Sequence, residues 1–292
     1  MSGASALQLS YGDGAGWAPL AANFRASGKQ YQTLLEGSEG APDNYRLVIV
    51  RQTGKLHTPR HKHNFDQLRL CIEGRINYGR GRWIEPGEIA YFPEGTPYGP
   101  EICDCDRLGI TIQFGGAGGA GFMSERQTQQ GVQILQQRGS FENGVYRRAD
   151  ATAPGERRNQ DSYEAIWEEV NGRRLVYPPP RYDEPVLMQP QNFVWQTEPG
   201  RRGLTTRVLG SFSERRLEIA MLRLAAGAKA NLPARAGTQL GFVLRGTGFA
   251  EAQAVRPLAA FAVERDRGWT LEAAAEMELL LVGLPMFGAA AA

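Results

Sequence analysis

The sequence predicts an all-β protein with a few helices, built from two β-barrel domains of the same type. Three observations lead there. Short apolar, β-branched runs recur in both halves, each closed by glycine, proline or charged residues. The 292 residues include 36 Gly and 17 Pro, enough turn formers to favour short strands over long helices. The spacing from Gln67 to Gly74 returns, at a constant offset, from Gln239 to Gly246.

Strands are expected over residues 45–51, 67–73, 76–78, 89–92 and 108–114, bounded by Glu73-Gly74, Gly79-Arg-Gly81, Glu85-Pro-Gly87 and Pro93-Glu-Gly95. Short strands at this density indicate a sandwich or barrel. Gly115 to Gly121 is almost wholly glycine and alanine. No helix opening on Lys-Ser/Thr follows it, so it reads as a flexible connection and not a phosphate loop. Ser124 to Arg138 reads as a helix capped by Ser124, and Asp161 to Val170 as an amphipathic helix with Tyr163, Ile166, Trp167 and Val170 on one face. The run Tyr177-Pro-Pro-Pro-Arg-Tyr182 is a stiff linker. The strand pattern then resumes over 205–209, 217–224, 240–244, 259–263 and 278–282. The expected layout is an N-terminal barrel over 1–118, a helical and proline-rich connector over 119–184, and a C-terminal barrel over 185–292.

Composition narrows the function. With 33 basic and 31 acidic residues the net charge is +2, which argues against a nucleic-acid partner held by bulk charge. No apolar stretch approaches the ~18 residues of a membrane span. Met1 to Tyr11 lacks a basic start followed by an apolar run, so no signal peptide is read there and a cytoplasmic location is expected. Three cysteines, Cys71, Cys103 and Cys105, do not make a disulfide framework or a zinc site. The expected partner is a small-molecule substrate, with a second copy of the chain in a homodimer.

All three histidines lie within seven residues: His57, His61 and His63. Imidazole is the commonest metal ligand and the side chain that titrates nearest neutrality. The segment reads His61-Lys-His63-Asn-Phe-Asp-Gln67, then six residues, then Gly74; further on comes Gly87-Glu-Ile-Ala-Tyr-Phe-Pro93-Glu-Gly95-Thr-Pro-Tyr98. This resembles the paired signature motifs of the cupin superfamily, G-x5-H-x-H-x3/4-E-x6-G and G-x5-P-x-G-x2-H-x3-N. The chain departs from them in spacing at Gly54, which is one residue out, and in chemistry at two positions. Gln67 stands where the family has Glu, and Tyr98 where it has the second-motif His.

The resemblance implies jelly-roll-like double-stranded β-helix barrels and a divalent metal, iron first, with manganese, nickel, copper or zinc as alternatives. Strand geometry agrees, since residues two apart face one side. His61, His63 and Gln67 share that parity, and the next hairpin brings Tyr98 to the neighbouring strand. The expected ligands are therefore His61, His63, Gln67 and Tyr98. His57 has the same parity and stands as a reserve ligand or proton carrier, or else as a solvated loop residue. Tyr98 is a ligand, an acid–base group or a pocket wall. Arg69 should point inward, either clamping a substrate carboxylate or pairing with an internal acid.

The first-motif spacing recurs as Gly227, Pro233-Ala-Arg235, Gln239 and Gly246, with Trp269 near the counterpart of Tyr98. Both histidines are replaced, so the C-terminal half reads as a second cupin barrel without a metal site. The function expected is a metal-dependent bicupin enzyme, dioxygenase-like, acting on a small carboxylate-bearing or aromatic molecule. Two alternatives stand beside it: a non-catalytic binding or sensory module, and a metal-dependent isomerase or lyase.

Overall fold

The computed structural model describes residues 7–12, 16–19, 29–150, 157–197 and 199–287. The chain divides into two units, one formed by residues 16–32 and 38–187, the other by 1–15, 33–37 and 188–292.

In the N-terminal unit the main sheet has seven strands. Their order is Val186–Met188, Ile89–Phe92, Asp66–Glu73, Arg107–Phe114, Tyr45–Gln52, Lys29–Glu36 and Ala18–Pro19. Two short pairs complete the barrel, Lys55–Thr58 with Glu101–Asp104 and Ile76–Gly79 with Arg82–Ile84. Cys71, Ala90 and Phe92 of the main sheet pack in one buried cluster with Ile76, Tyr78 and Ile84 of the short pairs. The C-terminal unit repeats the plan. Its seven strands run Leu7–Tyr11, Ala259–Val263, Gln239–Arg245, Met277–Gly283, Leu217–Leu224, Leu204–Phe212 and Gln196–Thr197. A four-stranded sheet closes it, and Leu222, Val243, Phe261 and Leu279 pack there against Leu232, Val255, Trp269 and Leu271. The register repeats as well. Gln67 pairs with Phe92 and Gln113, and Gln239 pairs with Val263 and Gly283.

The edge strands depart from the expected layout. Leu7–Tyr11, read within the first barrel, pairs antiparallel with Ala259–Val263 of the C-terminal sheet. Val186–Met188, read within the second, lies at the edge of the N-terminal sheet. Each strand shields an edge that would otherwise present unpaired backbone groups. Spacing along the chain carries no record of which sheet an end strand joins.

The helices form where expected. Helix α1 is Glu125–Gln136, and Ser124 and Gln127 close a capping box at its start. Helix α2 is Ser162–Asn171, capped by Asp161 and ended by Gly172 in the left-handed region. They are more than a connector. Val132 and Leu135 of α1 and Tyr163, Ile166 and Trp167 of α2 share one core with Phe65, Phe122 and Met123 of the N-terminal unit.

The glycine-rich 115–121 segment is no loose tether either. The Gly118 N–H donates to Glu94 at 2.6 Å, and a Cβ at Gly116 would stand 2.4 Å from the same carboxylate. Arg181 of the proline-rich run binds Glu94 at 2.7 Å, and Pro178 passes so close to Gly95 that a Cβ there would meet its carbonyl at 2.3 Å. Cys103 and Cys105 are joined by a disulfide across Asp104, where the sequence alone predicts none. Cys71 is the free, buried cysteine. No described helix is long and apolar enough to cross a membrane.

Gly74 and Gly246 end the first-motif spacing for a common physical reason. Both have positive φ (69° and 79°), and a Cβ would lie 2.2 Å from the Asp106 carbonyl oxygen or 2.1 Å from that of Glu276. Gly74→Ala should therefore cost about 2–4 kcal/mol by strain and backbone displacement, and Gly246→Ala a comparable amount. Urea unfolding of the two variants measures this; a cost below about 0.5 kcal/mol at both would refute the backbone argument.

Candidate active site

The site is assembled by one isolated bridge between loops. His61 and Tyr98 exchange both backbone hydrogen bonds, at 3.0 and 2.9 Å. That pairing brings their side chains face to face, with His61 Nε2 2.9 Å from Tyr98 Oη. His61 Nδ1 lies 2.7 Å from the Pro59 carbonyl oxygen. A carbonyl only accepts, so Nδ1 carries the proton, and in the neutral ring Nε2 is the lone-pair nitrogen that accepts from Tyr98. The His63 ring sits edge-on, its centroid 4.9 Å from that of His61, and stacks on Phe65 at 4.4 Å.

The Tyr98 oxygen is a hub. Besides His61 it meets Arg69 Nη2 at 3.0 Å and the Gln67 amide at 3.3 Å. In the orientation that satisfies both groups, the Gln67 amide oxygen accepts from Arg69 Nε at 3.0 Å and Nη2 at 3.2 Å. Of the two roles open to Arg69, the structure shows the internal pair: Nη1 binds Glu101 at 2.5 Å. Glu101 is fully buried and also accepts from Lys29 Nζ at 3.1 Å. Burial alone would raise the Glu101 carboxyl, but Arg69 and Lys29 outweigh it and hold the group well below the usual carboxylate range.

These side chains line a cavity of about 220 Å³. The lining is charged at Lys29, Arg69, Glu101 and Arg107, and apolar and aromatic at Phe65, Phe122, Met123 and Tyr163. Tyr163 is supplied by α2 and is anchored by its hydroxyl to Asn64 at 2.8 Å.

Of the residues expected from sequence, the structure brings together His61, His63, Gln67, Arg69 and Tyr98. It does not bring His57. The strand carrying His57 ends at Thr58, and within it Leu56 and Thr58 are buried while His57 is exposed, paired with the exposed Ile102. The parity argument fails because Pro59 and Arg60 break the strand, so His57 and His61 do not share one alternation. Sequence reasoning also missed Glu101, Lys29, Arg107 and Tyr163. Among these only Lys29 carried a signal, as one of four lysines in an arginine-rich chain.

No family model matches the sequence, and no curated protein matches it. Solved structures do. A candidate dioxygenase from Nostoc punctiforme superposes with a TM-score of 0.61 at 11% identity, covering 96% of this chain and 82% of that one. Streptomyces albus HEPD, with 2-hydroxyethylphosphonate and Fe(II) bound, gives 0.58 at 11% identity over 98% of this chain and 77% of that one. Bacillus subtilis oxalate decarboxylase, with Mn(II) centres, gives 0.50 at 13% over 96% and 77%. The chain has the bicupin fold. At the site itself the phenol oxygen of Tyr98 is held by a guanidinium, Arg69.

Glu101 should make the stability of the protein depend on pH on the acid side. Its carboxyl titrates lower folded than unfolded, so the folded state binds fewer protons and the stabilisation is present above the unfolded carboxylate range. It is lost as pH falls through the lower, folded value. Glu101→Gln should remove that acid-side slope and cost about 3–5 kcal/mol near neutrality by leaving Arg69 and Lys29 unpaired in a buried site. Unfolding free energies from pH 3 to 7 test this, and an unchanged slope would refute it.

Proposed function

We propose that the N-terminal barrel is a metal-assisted, dioxygenase-like oxidoreductase centre acting on a small organic molecule. The observation that carries the reading is the 2.9 Å approach of His61 Nε2 and Tyr98 Oη at the wall of a cavity, with the His63 ring beside them.

The donor set fits a divalent ion on its chemistry. The Pro59 carbonyl fixes the His61 tautomer that leaves Nε2 free of a proton, the usual outer-shell support of a ligating histidine. Among the described residues no third His, Cys, Asp or Glu stands with His61 and His63 to complete a metal group, and Tyr98 would supply the third donor. The ion would rest on His61, His63 and Tyr98, with iron first and manganese, nickel, copper or zinc as alternatives. The Gln67 amide oxygen is committed to Arg69 and steadies the guanidinium that in turn donates to Tyr98. A bound ion would act as a Lewis acid toward substrate oxygens. The chain's own residues do the rest. Tyr98 donates its hydroxyl proton to His61 Nε2 and would give that proton up on holding an ion; Arg69 fixes the phenol oxygen. Phe65, Phe122 and Met123 give the cavity an apolar lining against which the body of a small organic molecule would pack.

The absence of a carboxylate from the donor set favours one second reading, a barrel that binds its ligand without turnover. Elemental analysis of the purified protein separates the two. About one divalent ion per chain is expected, lost together with activity in His61→Ala and in His63→Ala and retained in Arg235→Ala. No metal in the wild type, with full activity in the double histidine variant, would overturn the metal-centre reading; no metal and no turnover would favour the binding module.

We also propose a homodimer. Val208 on a strand of the C-terminal unit is 60% exposed and Phe249 is 41% exposed, apolar surface that a second copy would cover. Light scattering should return twice the chain mass of 32.1 kDa; a mass equal to one chain would refute the dimer.

A further inference from the structure

The charged lining of the N-terminal cavity is not neutral by itself. Lys29, Arg46, Arg69 and Arg107 face the cavity, against two carboxylates, Glu101 and Glu125. Arg46 pairs with Glu125, and Arg69 with Glu101. Lys29 must share Glu101 with Arg69. Arg107 is 8% exposed; its Nε donates to the neutral Gln52 at 2.7 Å, and its two terminal nitrogens meet no acceptor among the described residues. Two positive charges therefore stand beside the cavity with no counter-charge of their own, one buried at Arg107 and one partly buried at Lys29. The cost of this shows in both groups. Burial lowers Lys29 to about 8, with Arg107 and Arg69 adding to the shift against the pull of Glu101. Burial lowers Arg107 to about 10, again against Glu101 and with Arg69 adding to it. An uncompensated buried cation pair is destabilising unless a ligand supplies the missing charge.

We infer that the cavity is built for a small dianion, seated between Lys29 Nζ and the terminal nitrogens of Arg107, whose body lies against Phe65, Phe122 and Met123. This rests on the reading of the cavity as the substrate site, and it extends that reading to the charge of the substrate. A dicarboxylate and a phosphonate share the required chemistry. Arg69 is not part of the seat, because its three partners, Glu101, Tyr98 and Gln67, are internal.

The test is calorimetric titration of metal-depleted protein, at constant ionic strength, with malonate, methylphosphonate and acetate as probes. At least one of the two dianions should bind tenfold or more tighter than acetate, and which one binds identifies the head group. Lys29→Gln and Arg107→Gln should each lose tenfold or more, and Arg107→Lys should recover part of the loss. Thermal melts confirm that each variant is folded. If Arg107→Gln does not fold, Lys29→Gln decides. Titration at pH 8 in two buffers of different ionisation enthalpy should show proton uptake in the wild type, because the anion raises Lys29 in a site it shares with Glu101, Arg69, Arg107 and His61. Uptake should vanish in Lys29→Gln. Equal binding of acetate and both dianions, or dianion binding unchanged in Lys29→Gln, would overturn the inference. Metal content reports separately on the enzyme reading: metal without dianion binding removes only this inference, and dianion binding without metal removes only that reading.

Discussion

One buried carboxylate, Glu101, holds the interior of the N-terminal barrel together. It opens the strand that follows Gly99 and gathers Arg69 and Lys29 from two other strands. At an effective dielectric near 20, each contact of about 3–4 Å is worth roughly 4 kcal/mol, against a desolvation penalty of several kcal/mol per buried ion. The sum is close to even, so the cluster is a poor source of net stability. What it provides is position. Arg69, pulled onto Glu101, presents its other terminal nitrogen to Tyr98, and Tyr98 then faces His61. Removing Glu101 would release the geometry of the hub along with the charge balance.

The second constraint is backbone closure at the bridge between His61 and Tyr98. The two residues lie in loops outside the named strands, yet they are fixed by a reciprocal pair of backbone hydrogen bonds. His63 is also held through its backbone, its carbonyl accepting from the Gly95 N–H at 2.8 Å. The motif glycines thus act on the backbone. Gly95 lets the 177–182 segment cross closely, and Gly74 lets the chain turn beneath Asp106. The spacing of the two motifs is a record of these turns, while the chemistry rests on the few side chains between them.

This division explains what the sequence disclosed. The strands 89–92, 217–224 and 259–263 were legible to the residue, because apolar runs bounded by turn formers report burial directly. The caps of α1 and α2 were legible for the same local reason, Ser124 and Asp161 being good N-caps. His61, His63, Gln67 and Tyr98 were legible as a constellation through their spacing. Three kinds of fact were not. The edge strands Leu7–Tyr11 and Val186–Met188 depend on sheet closure, which no local pattern encodes. His57 was misplaced because parity holds only within one unbroken strand, and Pro59 ends that strand. Glu101, Lys29 and Arg107 come from three separate strands, and a charge cluster gathered from distant strands leaves no spacing to read.

The C-terminal barrel shows that the fold itself has no need of the site. It keeps the strand order, the register and a cavity of about 350 Å³, but Pro233 and Arg235 occupy the positions of His61 and His63. The Arg235 guanidinium lies over Gly283, where a Cβ would collide with it, and pairs with Glu218, at the counterpart of Arg46. The charge there is largely settled within the barrel. Trp269, one residue beyond the register counterpart of Tyr98, packs edge-on against Phe261 at 5.2 Å within the apolar core. In this barrel, at the positions compared, charge meets charge within the unit and the aromatic ring packs in the core. Set beside it, the N-terminal barrel keeps two features that packing does not explain, a tyrosine held between imidazole and guanidinium and an excess of buried positive charge. Both face the same cavity, and that coincidence is the strongest structural argument that the cavity has a ligand.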